Sequence, residues 1–398
     1  MRKKEKKVFE KFGVAEKTQL GDVIDSGDLF YLKGKKTKNL CKKIQKHFSI
    51  KHCATMSSGT AAIHSAIGAL ELVPGKEVIT SPITDMGTLI GILYQNLIPV
   101  FADVDSRTYN IHSESIREKI SDSTAAIVVV HLAGNPARMD EILALAAEHD
   151  LPVIEDCAQA YGAKAKGKNV GTVGNIGCFS LNAFKHISSG DGGFIITNDK
   201  ELYLRAHNFA DKSYDRLDTG RRLTILAPCY RITELQSAVA LAQFEKLEYI
   251  VSKRHELGSN FNAGIEGLEG IQSHHVKEGD YCSYWFTMIR IDEHLLCPRE
   301  EFVAALKAEG VPASAGYIPR PIYMEPVFQE KSFFPGGRWP AEIMAGKQHD
   351  YIPGACPVAE KVLETAIRIS INESQDLGQV NRWVEKFKEI HEFYISGD

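Results

Sequence analysis

Between His52 and Glu155, short apolar runs alternate with stretches of helical spacing, and this alternation constrains the fold more than any other feature of the chain. The runs are His52–Met56, Glu77–Ser81, Ile98–Ala102, Ala125–His131 and Pro152–Glu155. Between them, apolar residues recur at helical intervals, as in Ala61–Leu70 and Met139–His149. Short buried strands separated by helices argue for a parallel sheet covered on both faces. Further on, Gly177–Ser180 and Gly193–Thr197 flank a Gly-rich turn. Two strands that close together read as a locally antiparallel or bent piece of the same sheet.

The chain has 398 residues, enough for about two domains. Ile232–Glu256 reads as one long helix. It leads from an N-terminal segment and large domain, residues 1–259, into a smaller C-terminal α+β domain, residues 260–398. In the smaller domain Tyr284–Ile291 is a strand candidate and Glu300–Glu309 a helix. The Pro-, Gly- and aromatic-rich stretch from Phe328 to Cys356 reads as an irregular surface loop, and the basic Lys33–Lys38 stretch as a solvated one.

Composition excludes several classes. A formal net charge of −4, with 44% hydrophobic and 25% charged residues, is ordinary for a soluble globular protein. It disfavours a nucleic-acid-coating protein, a disordered chain or a collagen-like one. No run approaches the roughly 20 apolar residues of a membrane helix. The basic stretch Met1–Lys7 is followed by no apolar signal core, so the expected location is the cytoplasm. The eight cysteines form no C-x-x-C pair and read as free, mostly buried thiols, with no metal site expected.

In a parallel α/β sheet, ligands sit beyond the carboxyl ends of the strands. After the first strand comes Ser57-Ser58-Gly59-Thr60, opening a helix. Small residues there let backbone N–H groups approach an anion, although an ordinary capped helix start reads the same way. After the Pro152–Glu155 strand comes Asp156. A carboxylate at a buried strand end needs a partner: either a Lys or Arg, or a protonated heterocyclic nitrogen. Lys185 lies between an apolar strand and the turn Ser188-Ser189-Gly190-Asp191-Gly192-Gly193. A lysine desolvated there becomes a usable nucleophile, unless its ammonium snorkels to water. An anion cradle, a carboxylate for a ring nitrogen and a lysine for an imine are together the parts that hold pyridoxal 5′-phosphate.

The chain resembles the DegT/DnrJ/EryC1/StrS family of pyridoxal-phosphate-dependent sugar aminotransferases. The likeness runs from about Gly27 to Ser374, and is carried by SSGTAAIHSA, PVFADVDSRTYNI, VVVHLAGNPARMDEI, VIEDCAQAYGAKAKGKNVGTVGNIGCFS, LNAFKHISSGDGGFIITND and YRITELQSAVALAQ. The resemblance implies the type I aminotransferase fold, an α/β large domain with a mostly parallel sheet plus the smaller C-terminal α+β domain. By position in the motifs, Lys185 matches the Schiff-base lysine and catalytic residue. Asp156 matches the partner of the pyridine nitrogen, and Gln159 the residue beside the ring and its hydroxyl. Ser58, Gly59, Thr60 and Ser180 match the phosphate binders. His131, Tyr230 and Arg231 fall in family motifs as well, where a structural role and a ligand contact both stand open.

Two positions depart from the family pattern. Asp85 stands where an aromatic residue usually stacks on the cofactor, and a carboxylate offers no π surface. Cys229 stands where an Asn usually reaches the phosphate of the neighbouring subunit, and a thiol is a much poorer donor.

The activity implied is transfer of an amino group from L-glutamate or L-glutamine to a keto-sugar or inosose by a ping-pong route. Lys185 would serve as base and acid, and a homodimer would complete the site. His186, Asn182, Tyr317 and Tyr323 are candidates to face the substrate. The SSGDGG turn looks closest to the inosose and aminohydroxybenzoate-type branches. The alternatives are a deoxysugar dehydratase, in which a His replaces the lysine, an aminohydroxybenzoate-type synthase, and a non-catalytic regulatory protein on the same fold. Lys185 argues against the dehydratase, and no basic DNA-binding helix is evident.

Overall fold

The computed structural model describes residues 9–217, 223–337 and 339–396. Its larger sheet contains β1 (His52–Met56), β2 (Glu77–Thr80), β3 (Ile98–Phe101), β4 (Thr124–Val130) and β5 (Val153–Asp156). A short hairpin, β6 (Lys164–Ala165) with β7 (Lys168–Asn169), precedes β8 (Ile176–Ser180) and β9 (Gly193–Thr197). The seven strands lie in the order β1-β9-β8-β5-β4-β2-β3. Every pairing from β8 to β3 is parallel, and only β9 runs against its neighbours, pairing antiparallel with both β8 and β1. The expected parallel sheet with one local reversal is therefore present, with strand ends shifted by a residue or so.

Runs such as Ile127–Val130 and Val153-Ile154 are buried on both faces. Each such aliphatic side chain contributes about 1.5–3 kcal/mol of burial, which is why these strands show continuous rather than alternating hydrophobicity. The helix Gly59–Ala69 packs into the sheet with ten of its eleven residues buried. Its small residues permit that approach: a Cβ on Gly68 would lie 2.5 Å from the Phe209 ring.

A second sheet, β10 (Ile271–Gln272), β11 (Thr287–Ile291), β12 (Ala313–Ala315) and β13 (Ala366–Ile369), is antiparallel throughout in the order β10-β11-β13-β12. The expected helix near residue 300 is present at Arg299–Ala308.

Three expectations need correction. Ile232–Glu256 is not one helix but the whole of Glu234–Phe244 and the first half of Leu247–Ile265. The break falls at Glu245-Lys246, where Lys246 Nζ reaches back to the carbonyl of Lys11. Residues 259 and 260 both lie within the second of these helices. Phe328–Cys356 is not a surface loop. Phe328, Tyr351 and Cys356 are buried against Phe101, Trp339 is buried against Phe333 and Tyr351, and short helices form at Pro326–Gln329 and Pro340–Ala345. Within the Lys33–Lys38 stretch, Lys36 opens the helix Lys36–Phe48, and Thr37 is buried with its amide donating to Glu234 Oε1 at 3.0 Å.

Candidate active site

The carboxyl ends of β1, β2, β5 and β8 open onto one cavity of about 430 Å³. Its walls include Ser58, Gly59, Thr60, Asp85, Thr88, Asp156, Gln159, Ser180, Asn182, Lys185, Trp285 and Tyr317. A larger surface groove of about 640 Å³ around Lys43, Lys164 and Tyr281 contains none of these residues.

Ser58 caps the Gly59–Ala69 helix, its Oγ accepting from Ala61 N–H at 3.0 Å. The uncapped amides of that first turn face the cavity with the positive end of the helix dipole behind them. Ser180 stands opposite, so close that a Cβ on Gly59 would lie 2.6 Å from Ser180 Cβ. A glycine is needed there for space. Across the cavity Asp85 caps the helix Met86–Tyr94, its Oδ1 accepting from Gly87 N–H at 2.8 Å.

Asp156 is the last residue of β5 and is buried. Its Oδ1 accepts from Ala158 N–H at 3.0 Å, and its Oδ2 from the Thr88 hydroxyl at 2.8 Å. Burial raises its pKa, while those hydrogen bonds and the charge of Lys185 hold it back. Among the described residues no Lys, Arg or His lies within ion-pair distance of it, so the reading as half of a salt bridge fails. What remains is a buried carboxylate that lacks a cationic partner.

Lys185 sits in the turn between β8 and β9, with its own amide donating to Asn182 O at 3.0 Å. Gly190 and Gly192, at φ 86° and 146°, allow the chain to return into β9. The Lys185 ammonium lies 3.9 Å from the centre of the Trp285 ring. Burial lowers its pKa, and the carboxylates of Asp156 and Asp85 oppose that shift. The half-buried side chain thus ends under the Trp285 ring in the cavity wall.

Gln159 links two parts of the wall. Its Oε1 accepts from Ala133 N–H at 2.8 Å and its Nε2 donates to Tyr317 Oη at 3.1 Å. Asn182 also lies in the wall, with Nδ2 donating to Asp191 Oδ1 at 3.2 Å.

Other candidates fall outside the cavity. His186 is fully buried and bonds the carbonyl of Ser283 through Nε2 at 3.0 Å. Tyr323 is buried as well, with its hydroxyl engaged by Glu360 and by the amide of Cys356. Both are corrections: these side chains do not face the substrate space. His131 accepts from Ala137 N–H at Nδ1 and therefore donates from Nε2 to Glu155 at 3.0 Å, a buried structural pair. Tyr230 bonds His64, and Arg231 bonds Asp211. Cys229 is exposed, and all eight cysteines are free.

Sequence reasoning missed Thr88 and Trp285. Thr88 lies one turn after the Asp85 cap, a position from which a hydroxyl reaches back past the helix start. Trp285 carries no local signal, since 100 residues separate it from Lys185.

A model of the DegT/DnrJ/EryC1/StrS aminotransferase family matches residues 11–388. The chain belongs to that family. It is 33% identical over 318 residues to the GDP-perosamine synthase of Escherichia coli O157:H7, covering 79% of this chain and 85% of that protein. It is 32% identical over 353 residues to the UDP-N-acetyl-3-dehydro-alpha-D-glucosamine 3-aminotransferase of Acidithiobacillus ferrooxidans, covering 88% and 87%. Among solved structures, an aminotransferase from Psychrobacter cryohalolentis superposes with a TM-score of 0.85 at 27% identity, covering 96% of this chain and 98% of that one. The α/β aminotransferase fold implied by the sequence is thus the fold observed, and the chain is an aminotransferase of this family.

Proposed function

We propose that this aminotransferase binds pyridoxal 5′-phosphate in the cavity at Lys185 and moves an amino group from L-glutamate or L-glutamine to the ketone of a nucleotide-linked sugar. The observation that carries the cofactor reading is the pairing in one cavity of the Lys185 amine and a buried carboxylate, Asp156, with no cation within ion-pair distance among the described residues. The fit extends to the phosphate. Ser58, Gly59, Thr60 and Ser180 form an anion cradle that a single added methyl group would fill.

When bound, the cofactor supplies an aldehyde to carry the amino group and a ring to delocalise electrons. The protein's share is positional and acid–base. Asp156 holds a proton on the ring nitrogen, and Thr88 and Ala158 fix its two oxygens. Lys185 Nζ would take the proton from the donor α-carbon and deliver it to the cofactor's aldehyde carbon, and would carry a proton the opposite way, to the acceptor carbon, in the second half of a ping-pong cycle. Gln159 and Tyr317, bonded to each other in the cavity wall, would flank the ring, and Asn182 would offer an amide to a hydroxylated substrate. Asp85 offers a carboxylate where an aromatic residue would stack.

A nucleotide-linked keto-sugar is favoured over a free inosose because the relatives named above carry GDP- and UDP-sugar activities at over 30% identity. The dehydratase alternative is disfavoured because the lysine faces the cavity while His186 is turned into the core. The domain division remains a proposal too, with the larger sheet carrying the cofactor and the antiparallel sheet closing over it. So does a homodimer: Phe184 at the cavity wall and Leu226 nearby in sequence to Cys229 are 79% and 100% exposed, apolar surface that a second subunit would cover. No helix among the described residues is long and apolar enough to cross a membrane.

The test is incubation of the holoenzyme with L-glutamate or L-glutamine and a panel of nucleotide-linked keto-sugars and inososes, read by mass. The expected result is an amino-sugar nucleotide and the matching keto acid in equal amounts. Loss of water without keto acid formation would establish a dehydratase, and an aromatic product an aminohydroxybenzoate-type synthase.

A further inference from the structure

A buried network behind the cavity is used by nothing described so far. Lys11, in the segment before the first helix, donates from Nζ to the backbone carbonyl of Lys185 at 2.9 Å. The same ammonium lies 3.5 Å from Glu373 Oε1. The other Glu373 oxygen, Oε2, accepts from Arg254 Nε at 2.7 Å, and both partners are buried. Arg254 Nη1 in turn donates to the carbonyl of Trp285 at 3.3 Å. The Trp285 ring covers the Lys185 ammonium, and its Nε1 donates to Phe184 O at 2.7 Å.

These contacts form a closed circuit. It leaves Lys185 at its carbonyl, runs through Lys11, Glu373 and Arg254 to the backbone of Trp285, and returns to Lys185 at its side chain. Two members, Glu373 and Trp285, flank strands of the antiparallel sheet, while Lys185 belongs to the turn of the larger one. Lys11 is itself clamped, because its carbonyl accepts from Lys246 Nζ at 2.8 Å and from Gln243 Nε2.

A lysine loses much rotamer entropy when ordered, so one held at both its ammonium and its carbonyl needs a partner set that offsets the loss. Burial does lower the pKa of Lys11, with Glu373 acting against that shift. An arrangement needing a half-buried lysine, a buried carboxylate and a buried guanidinium adds little net stability over apolar packing. It does fix geometry, because each group is held by the charge of the next.

We infer that Lys11 is a positioning residue for the reaction: by holding the Lys185 carbonyl and Glu373 together, it keeps the reactive amine in register with the sheet that carries Trp285. The inference rests on the proposed role of Lys185. Misplacing a reacting group by an ångström can cost about a hundredfold in rate, so a partial loosening of this turn is expected to cost about tenfold.

Lys11→Met tests it, with Lys11→Arg as the variant that keeps both charge and donors. In the holoenzyme, Lys11→Met is expected to lower kcat of the donor half-reaction about tenfold while donor KM changes by less than about threefold. The pH midpoint of the bound cofactor's visible absorbance should move, and Lys11→Arg should restore most of both. In the cofactor-free chain, amides of residues 185–189 should exchange with solvent about tenfold faster in the Met variant. Lys11→Gln, which loses the charge, is expected to show the same changes and serves where the Met variant does not accumulate folded. Unchanged kcat, midpoint and exchange in a folded variant would overturn the inference. Failure of the wild-type protein to carry the cofactor on Lys185 would instead overturn the proposed function, and the exchange result would still judge the role of Lys11 in holding the turn.

Discussion

The hydroxyl of Thr88 donates to Oδ2 of Asp156 at 2.8 Å, and no lysine, arginine or histidine among the described residues shares that carboxylate. The Thr84 hydroxyl lies 2.7 Å from the Thr88 oxygen on its other side. A charge at the end of a central strand is thus hydrogen-bonded by neutral donors, with the Lys185 ammonium acting on it only from across the cavity.

Thr88→Val therefore removes one of two fixed donors from a buried carboxylate. Loss of such a hydrogen bond to a charged group costs about 1.5–3 kcal/mol. The expected outcome is a further rise in the Asp156 pKa, weaker cofactor retention on dialysis and a kcat/KM about tenfold or more lower. Thr88→Ser, which keeps the hydroxyl, should recover most of the loss in the same dialysis and rate measurements.

Asp85 has two separable roles, and two substitutions divide them. Asp85→Ala removes the helix cap to Gly87 and is expected to cost about 0.5–2 kcal/mol in urea unfolding. Asp85→Asn keeps a cap of comparable quality, so its stability should stay near that of the parent chain. Both remove a negative charge that raises the Lys185 pKa. Both should therefore lower that pKa further, seen as a shift to lower pH of the alkaline limb that governs Lys185 modification by an amine-reactive probe in the cofactor-free protein. A shift in the opposite direction would place Asp85 away from the amine.

Gly59→Ala places a Cβ 2.6 Å from that of Ser180 at the mouth of the cradle. Overpacking of this kind costs about 1–3 kcal/mol, and here the added methyl also fills the space assigned to phosphate. A lower melting temperature and a loss of pyridoxal-phosphate binding with little change in pyridoxal binding are expected from equilibrium dialysis. Equal weakening of both ligands would move the phosphate elsewhere.

Away from the cavity, Glu77 gives a pH test of the fold. Hydrogen bonds from His349, Ser121 and Lys347, partly offset by burial, bring its pKa down to about 2. A carboxylate whose folded pKa is depressed stabilises the fold above its unfolded pKa, and that contribution fades as pH falls toward the folded value. The window therefore runs from the ordinary glutamate value of 4.5 down to about 2. Across it the melting temperature should fall more steeply in the wild type than in Glu77→Gln. Parallel curves would show that the tie between β2 and residues 347–349 contributes nothing.

The parallel sheet was legible because its strands are buried on both faces, so apolar runs such as Ala125–His131 announce themselves without alternation. The cavity was legible for the same topological reason: the residues that follow β1, β5 and β8 must meet at one edge. The helix break at Glu245-Lys246 had no such signal, because Glu and Lys are good helix formers and apolar spacing continues across them. Its cause is tertiary, the reach of Lys246 to Lys11 and Glu16. The stretch from Phe328 to Cys356 was misjudged on its Pro and Gly content, when its Phe, Trp and Tyr residues pack as a satellite of the core. His186 is a candidate because it follows Lys185, and Tyr323 because the Tyr317–Tyr323 segment resembles one that faces the substrate in the family. Neighbours of a catalytic residue in a turn alternate sides, and His186 takes the inward one. Thr88, Trp285 and Lys11 meet Asp156 and Lys185 only through the fold.

The most direct measurement is borohydride reduction of the pyridoxal-phosphate-loaded protein, followed by peptide mass analysis. A single phosphopyridoxyl label on Lys185, abolished in Lys185→Ala together with transamination, is the predicted result. A label on another lysine, or none in a protein that still transaminates, would contradict the assignment of this cavity as the active site.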